Sequence, residues 1–94
     1  VVMNFAVGEE LGLRGATTAA FGLKPDLALC LEATVGDTPG LNASRQPSYL
    51  GKGPAITVAD GRIVVPRRLV QSLEQAAQKA GLACQRKLPE CPPA

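Results

Sequence analysis

The sequence predicts an α/β fold in which strands pair in parallel and helices flank the sheet. Three observations carry that expectation. Two short apolar runs, "VVMNFAV" (Val1 to Val7) and "LALCLEAT" (Leu27 to Thr34), are nearly continuous, as in strands covered on both faces. Between them Leu13, Ala16, Ala20 and Leu23 recur at three- and four-residue steps, the period of a helix face. Strand, helix and strand together fit into about thirty residues, the size of one βαβ unit with a right-handed crossover.

Each element follows from local chemistry. Arg14, Thr17 and Lys24 lie off the first helix face, and "KPD" (Lys24 to Asp26) ends the helix because the residue before a proline disfavours the helical region. From Val35 to Pro54 the chain turns to Gly, Pro, Asn and Ser, giving a long loop without periodicity. Loops of that length are uncommon in compact domains and usually serve function or contact. "PAITVAD" (Pro54 to Asp60) alternates as a strand does, Gly61 marks a turn, and "RIVV" is a short extended piece. Pro66 suits the first turn of a second helix, whose apolar stripe is Leu69, Val70, Leu73, Ala76, Ala77 and Ala80. Gly81 is the expected residue just past its end. "LACQRKL" predicts a last short strand, while "PECPPA", with three prolines in six residues, cannot enter a sheet interior. There is no internal repeat and no domain boundary.

Bulk properties narrow the function. Ninety-four residues suit one small domain, and 46% apolar content suits a packed core. A formal charge of +2, from 10 basic and 8 acidic residues, is too small and scattered for a nucleic-acid partner. Phe5, Phe21 and Tyr49 are the only aromatic residues, so base-stacking platforms are not expected. Cys30, Cys84 and Cys91 are odd in number and lack CxxC spacing, which argues against a disulfide framework and a zinc knuckle. Cys30, inside "LALCL", reads as a buried reduced thiol, and a reducing cytoplasm is the default compartment. No signal peptide and no membrane-length apolar run appear, so no membrane association is expected. The sequence contains no His and opens on Val1, so an imidazole-ligated metal site would need residues of a longer protein.

The carboxylates carry the chemistry. In "VGEELGLRG", Glu9 and Glu10 stand side by side where the first apolar run stops, and Glu32 closes the second. Parallel sheets build sites outside the carboxyl ends of their strands, so the three could converge on divalent cations. Adjacent residues of an extended chain face opposite ways, which divides the labour: one Glu binds metal and the other accepts a proton from water. The alternative is a solvated turn, or favourable charge at a helix N-terminus. Glu32 is expected to be partly buried and so to need a cation or donors, with pairing to Arg14 as the structural alternative. Asp37 in "VGDTPG" reads as turn chemistry. "LGKGPA" lacks the phosphate-loop pattern, Arg67 and Arg68 read as solvated surface, and without His no Ser/His or Cys/His nucleophile can form.

"GEELGLRGATTAAFGLKPDLALCLEATVGDTPG" (Gly8 to Gly40), then "LGKGPAI" and the helix leading to "AGLACQRKL", resembles the glutamyl, or tetrahedral, aminopeptidases. These are cytoplasmic dinuclear zinc exopeptidases, some of them labelled endoglucanases. The resemblance implies a fragment of a mixed, largely parallel sheet flanked by helices, of the phosphorylase/hydrolase-like kind. It implies Glu9 as general base, Glu10 and Glu32 as ligands to one metal each, and two divalent ions: zinc first, with cobalt or manganese as alternatives. Arg14 is expected to position the junction. Peptides are the implied substrates and a homo-oligomer the implied full-length assembly.

Residues 1–88 would be part of the catalytic domain and 89–94 a divergent Pro-rich tail. The family pattern has Gln where this chain has Gly8, and it adds an upstream His, an upstream bridging Asp, a downstream His and a Gly-rich segment that these residues lack. The chain therefore reads as an internal fragment, not expected to hydrolyse peptides alone. Two rivals remain at this point: a glycosidase using paired carboxylates, which would not depend on metal, and a non-catalytic α/β interaction fragment.

Overall fold

A computed structural model describes residues 1–89. The tail from 90 onward, Cys91 included, lies outside the described residues. The chain forms two compact units, Val1–Glu32 and Ala33–Ala94.

The first unit has one regular element, helix α1 (Arg14–Leu23). Its two apolar runs form no ladder, which corrects the expected strands at 1–7 and 27–34 and the βαβ unit they would have framed. Phe5 is 91% exposed and Leu31 88%. The reason is physical: a strand exists only as one rung-set of a ladder with a neighbouring strand, and among the described residues no strand pairs with these runs. Cys30 is exposed, not buried. α1 buries none of its residues, so the stripe of Leu13, Ala16, Ala20 and Leu23 lies open. Its end is as the sequence predicts: Lys24 turns left-handed (φ 47°) before Pro25, and its N–H bonds the Ala20 carbonyl.

The second unit holds the parallel strand–helix–strand arrangement, further along the chain than the first two apolar runs suggested. β1 (Ala55–Thr57) pairs in parallel with β2 (Gln85–Lys87), matching Ala55 to Gln85, Ile56 to Arg86 and Thr57 to Lys87. The ladder is continued by the Gln85 N–H to the Pro54 carbonyl and the Val58 N–H to that of Lys87, both 2.9 Å. Helix α2 (Arg67–Lys79) lies between the two strands in sequence and packs on β1. Val70 (3% exposed) and Ile56 (9%) centre the small core, with Leu69, Leu73 and Ala77 half-buried beside them and Ala76 and Ala80 exposed. α2 closes with Gly81 at φ 67°, its N–H on Gln78 and the Leu82 N–H on Ala77, the paired bonds of a Schellman ending. "RIVV" folds back on the residues just after β1 through an antiparallel Ala59–Val64 bridge, around a turn in which Asp60 Oδ1 accepts from the Arg62 and Ile63 N–H groups. No helix of the described residues is long and apolar enough to cross a membrane.

One ion pair fastens α2 to β2. The Arg86 guanidinium donates from Nε to Glu74 Oε1 (2.6 Å) and from its terminal nitrogen to Oε2 (2.9 Å). That forked bond holds the Glu74 carboxyl below its ordinary pKa and pushes Arg86 further up. Because the folded-state pKa is depressed, the bridge's contribution is complete above the ordinary carboxylate range near about 4.3 and fades as acid protonates Glu74. The difference in unfolding midpoint between the wild-type chain and E74Q should therefore stay constant from neutral pH to about 5, then shrink on further acidification. A gap unchanged down to pH 3 would rule the bridge out as its cause.

Candidate functional site

The stretch "VGEELGLRG" folds into a tight hydrogen-bonded turn at the mouth of α1. The Gly8 carbonyl accepts from the Leu11 and Arg14 N–H groups at 3.3 and 3.2 Å, and that of Glu9 from Gly12 and Leu13 at 3.0 and 2.9 Å. The Gly15 N–H closes the ring on the Val7 carbonyl at 2.9 Å. Three residues take the left-handed region to make this possible: Gly8 (φ 69°), Gly12 (φ 101°) and Leu13 (φ 60°). Two are glycines, which adopt it without strain, whereas Leu13 stores strain of about 1–3 kcal/mol, a feature that concentrates at functional sites.

Glu9 and Glu10 ride on this turn with exposed side chains. Arg14 Nε donates to the Leu11 carbonyl at 3.0 Å, so its guanidinium braces the turn from within. Glu32 is also exposed, which corrects the expected partial burial. Among the described residues, no group of three or more His, Cys, Asp or Glu is gathered that could hold a metal ion. Carboxylate oxygens are suitable donors for divalent cations, but Glu10 and Glu32 alone supply only one ligand apiece.

The second unit contains a feature that sequence reasoning missed. The loop from Val35 to Pro54 is tied by side chains rather than loose, and it includes a 3-10 turn at Ala43–Arg45. Gln46 donates to the Thr38 and Leu41 carbonyls and accepts from the Thr38 N–H at 2.7 Å. Ser48 Oγ donates to the Val35 carbonyl at 2.7 Å, and Tyr49 Oη to that of Ala43. Asp37, itself left-handed at φ 50°, accepts the Leu50 N–H on Oδ2 at 3.1 Å, so its carboxylate serves the turn. Gln85 reaches in from β2: Oε1 accepts from the Tyr49 N–H, while Nε2 donates to the Tyr49 and Gly53 carbonyls. Of these residues Ser48, Tyr49, Leu50, Gly53 and Gln85 line an open cleft of about 420 Å³ beside the first residues of β1 and β2. The polar residues Asp37, Gln46 and Ser48 within the loop were the available signal. Gln85, over thirty residues away, gave none.

Comparison with known proteins places this turn and loop in context. A putative aminopeptidase of Acetivibrio thermocellus is 39% identical over 87 residues, covering 92% of this chain and 26% of its own. The lysyl aminopeptidase of Pyrococcus furiosus is 32% identical over 74 residues, covering 79% and 20%. Among solved structures, a TET aminopeptidase from a marine sediment archaeon of the Thaumarchaeota superposes with a TM-score of 0.81 at 33% identity, covering 88% of this chain and 23% of that one. The chain thus spans roughly a quarter or less of the curated relatives it matches. Residues 1–91 match the family described as M42 glutamyl aminopeptidase, so a turn bearing two exposed carboxylates, a strained Leu13 and an arginine brace sits in a chain that belongs to that family.

Proposed function

We propose that this chain is the base-bearing, partly metal-ligating segment of a metal-dependent aminopeptidase that removes N-terminal residues from peptides. The observation that carries the reading is the Val7–Gly15 turn, whose backbone bonds fix Glu9 and Glu10 in an exposed position within a chain of this family. Glu10 and Glu32 each offer carboxylate oxygens to one of two divalent ions, zinc in the first place, with cobalt or manganese able to substitute. When bound, such ions supply Lewis acidity toward the scissile carbonyl and make water a stronger acid. Glu9 takes the proton from the attacking water onto its carboxylate and delivers it to the leaving amine. Arg14 keeps the turn closed through the Leu11 carbonyl. The chain has no His, so imidazole ligands must come from outside these residues. The working compartment is the cytoplasm and the full-length assembly a homo-oligomer. One relative is a lysyl aminopeptidase while the family is named glutamyl, so membership leaves the preferred N-terminal residue open.

Chelation tests the proposal. EDTA should abolish hydrolysis of free-N-terminal peptides by the full-length protein, and zinc or cobalt should restore it. N-acetylated peptides should be refused, and the 94-residue chain alone should show no turnover. Chelator-resistant hydrolysis, above all of a glycan, would replace this reading with the carboxylate-pair glycosidase.

A further inference from the structure

Gly15 sits at the second position of α1, where the helix passes closest to the residue that precedes the carboxylate turn. A Cβ built there would lie 2.5 Å from the Val7 carbonyl oxygen and 2.6 Å from the Val7 nitrogen, separations that real Cβ atoms do not show. Both obstructing atoms are backbone, so no side-chain rotation relieves the clash. The Gly15 N–H bonds that same Val7 oxygen at 2.9 Å, and the Arg14 N–H bonds the next carbonyl, Gly8, at 3.2 Å. Those two bonds close the ring that carries Glu9 and Glu10. Gly22, in the same helix, has nothing within 4 Å of a Cβ. The need for glycine at position 15 is thus local to the ring and not a property of the helix.

We propose that Gly15 is a positioning residue for the catalytic turn: the absence of its side chain lets α1 close on Val7 and so fixes where Glu9 and Glu10 stand. The inference rests on the aminopeptidase reading. Adding one methyl group must push Val7 and the helix start apart by a large fraction of an ångström, and misplacement on that scale costs about a hundredfold in rate.

The test is G15A in the full-length protein, beside G22A and E9Q, with kcat, KM and bound metal measured per folded chain. G15A should lower kcat by about a hundredfold with KM within about twofold, more than any accompanying loss of bound metal accounts for. G22A should match wild type. A G15A protein that melts earlier but turns over normally would overturn the positioning role, since a purely structural glycine lowers stability without lowering kcat per folded site. Wild-type inactivity, or full activity in E9Q, would instead sink the aminopeptidase reading. Should G15A not fold, hydrogen exchange of the Gly15 amide in the wild-type protein decides. Slow exchange is expected, and exchange at the rate of an open loop would overturn the proposal.

Discussion

Glu9→Gln in the full-length protein is expected to cut turnover by about 10²–10⁴-fold, the range a well-placed general base contributes, while bound metal stays at the wild-type level. The substitution keeps size and shape, and the Glu9 contacts that build the turn are made by its backbone carbonyl, which the change leaves alone. What disappears is the ability to accept a proton near neutral pH. Glu10→Gln supplies the contrast, because losing an oxygen ligand should reduce metal content first and activity as a consequence, with partial recovery at high zinc. The informative quantity is metal per folded chain beside kcat. If E9Q loses metal and E10Q does not, the two roles are exchanged. If neither variant affects turnover, the carboxylate pair is no more than a charged turn at a helix start.

The sequence made the second unit readable because its signals are local. The stripe Leu69, Val70, Leu73 and Ala77 predicts α2 and its packing face, and Gly81 predicts its end, since both depend on spacing and on one residue's freedom to take positive φ. The apolar runs at 1–7 and 27–34 are a different case. Their hydrophobicity predicts burial on two faces, but burial and pairing are properties of neighbours, which the composition of a single run does not encode. Within the described residues Phe5 and Leu31 stay exposed. The solved aminopeptidase that superposes on 88% of this chain uses the same path as 23% of a longer one.

Legibility at the carboxylate turn was partial for a similar reason. Glu9 and Glu10 stand out as adjacent carboxylates at the point where an apolar run stops. The left-handed Leu13, the Arg14 brace and the tight approach of Gly15 are three-dimensional consequences of "LGLRG" that no periodicity encodes. The loop clasp is still less visible, since Gln85 meets Tyr49 across 36 positions.

Gly53→Ala should be the most damaging single change in the second unit, and three glycines separate its causes. Gly53 has φ 82°, and a Cβ there would lie 2.0 Å from the Ala83 carbonyl oxygen and 2.6 Å from its carbon. Gly81 has φ 67° with nothing within 4 Å, so its alanine variant pays the conformational term only, about 1–2 kcal/mol. Gly61 has neither constraint, and its alanine variant should fall within about 0.5 kcal/mol of wild type or gain slightly through a less flexible unfolded chain.

At position 53 the methyl group meets backbone on the segment entering β2, so either that segment or the loop must retreat. Retreat strains the Gln85 Nε2 bond to the Gly53 carbonyl and the Gln85 N–H bond to Pro54, both on residues that hold the strand register. Adding about 1 kcal/mol for each weakened bond to the conformational term gives a loss of roughly 3–4 kcal/mol, a large share of what a unit this small can possess. Urea unfolding of the 94-residue chain should order the variants as Gly61, Gly81, Gly53 from mildest to worst. G53A no worse than G81A would mean that the loop gives way freely at Ala83 and that the clasp around Tyr49 and Gln85 does not hold it.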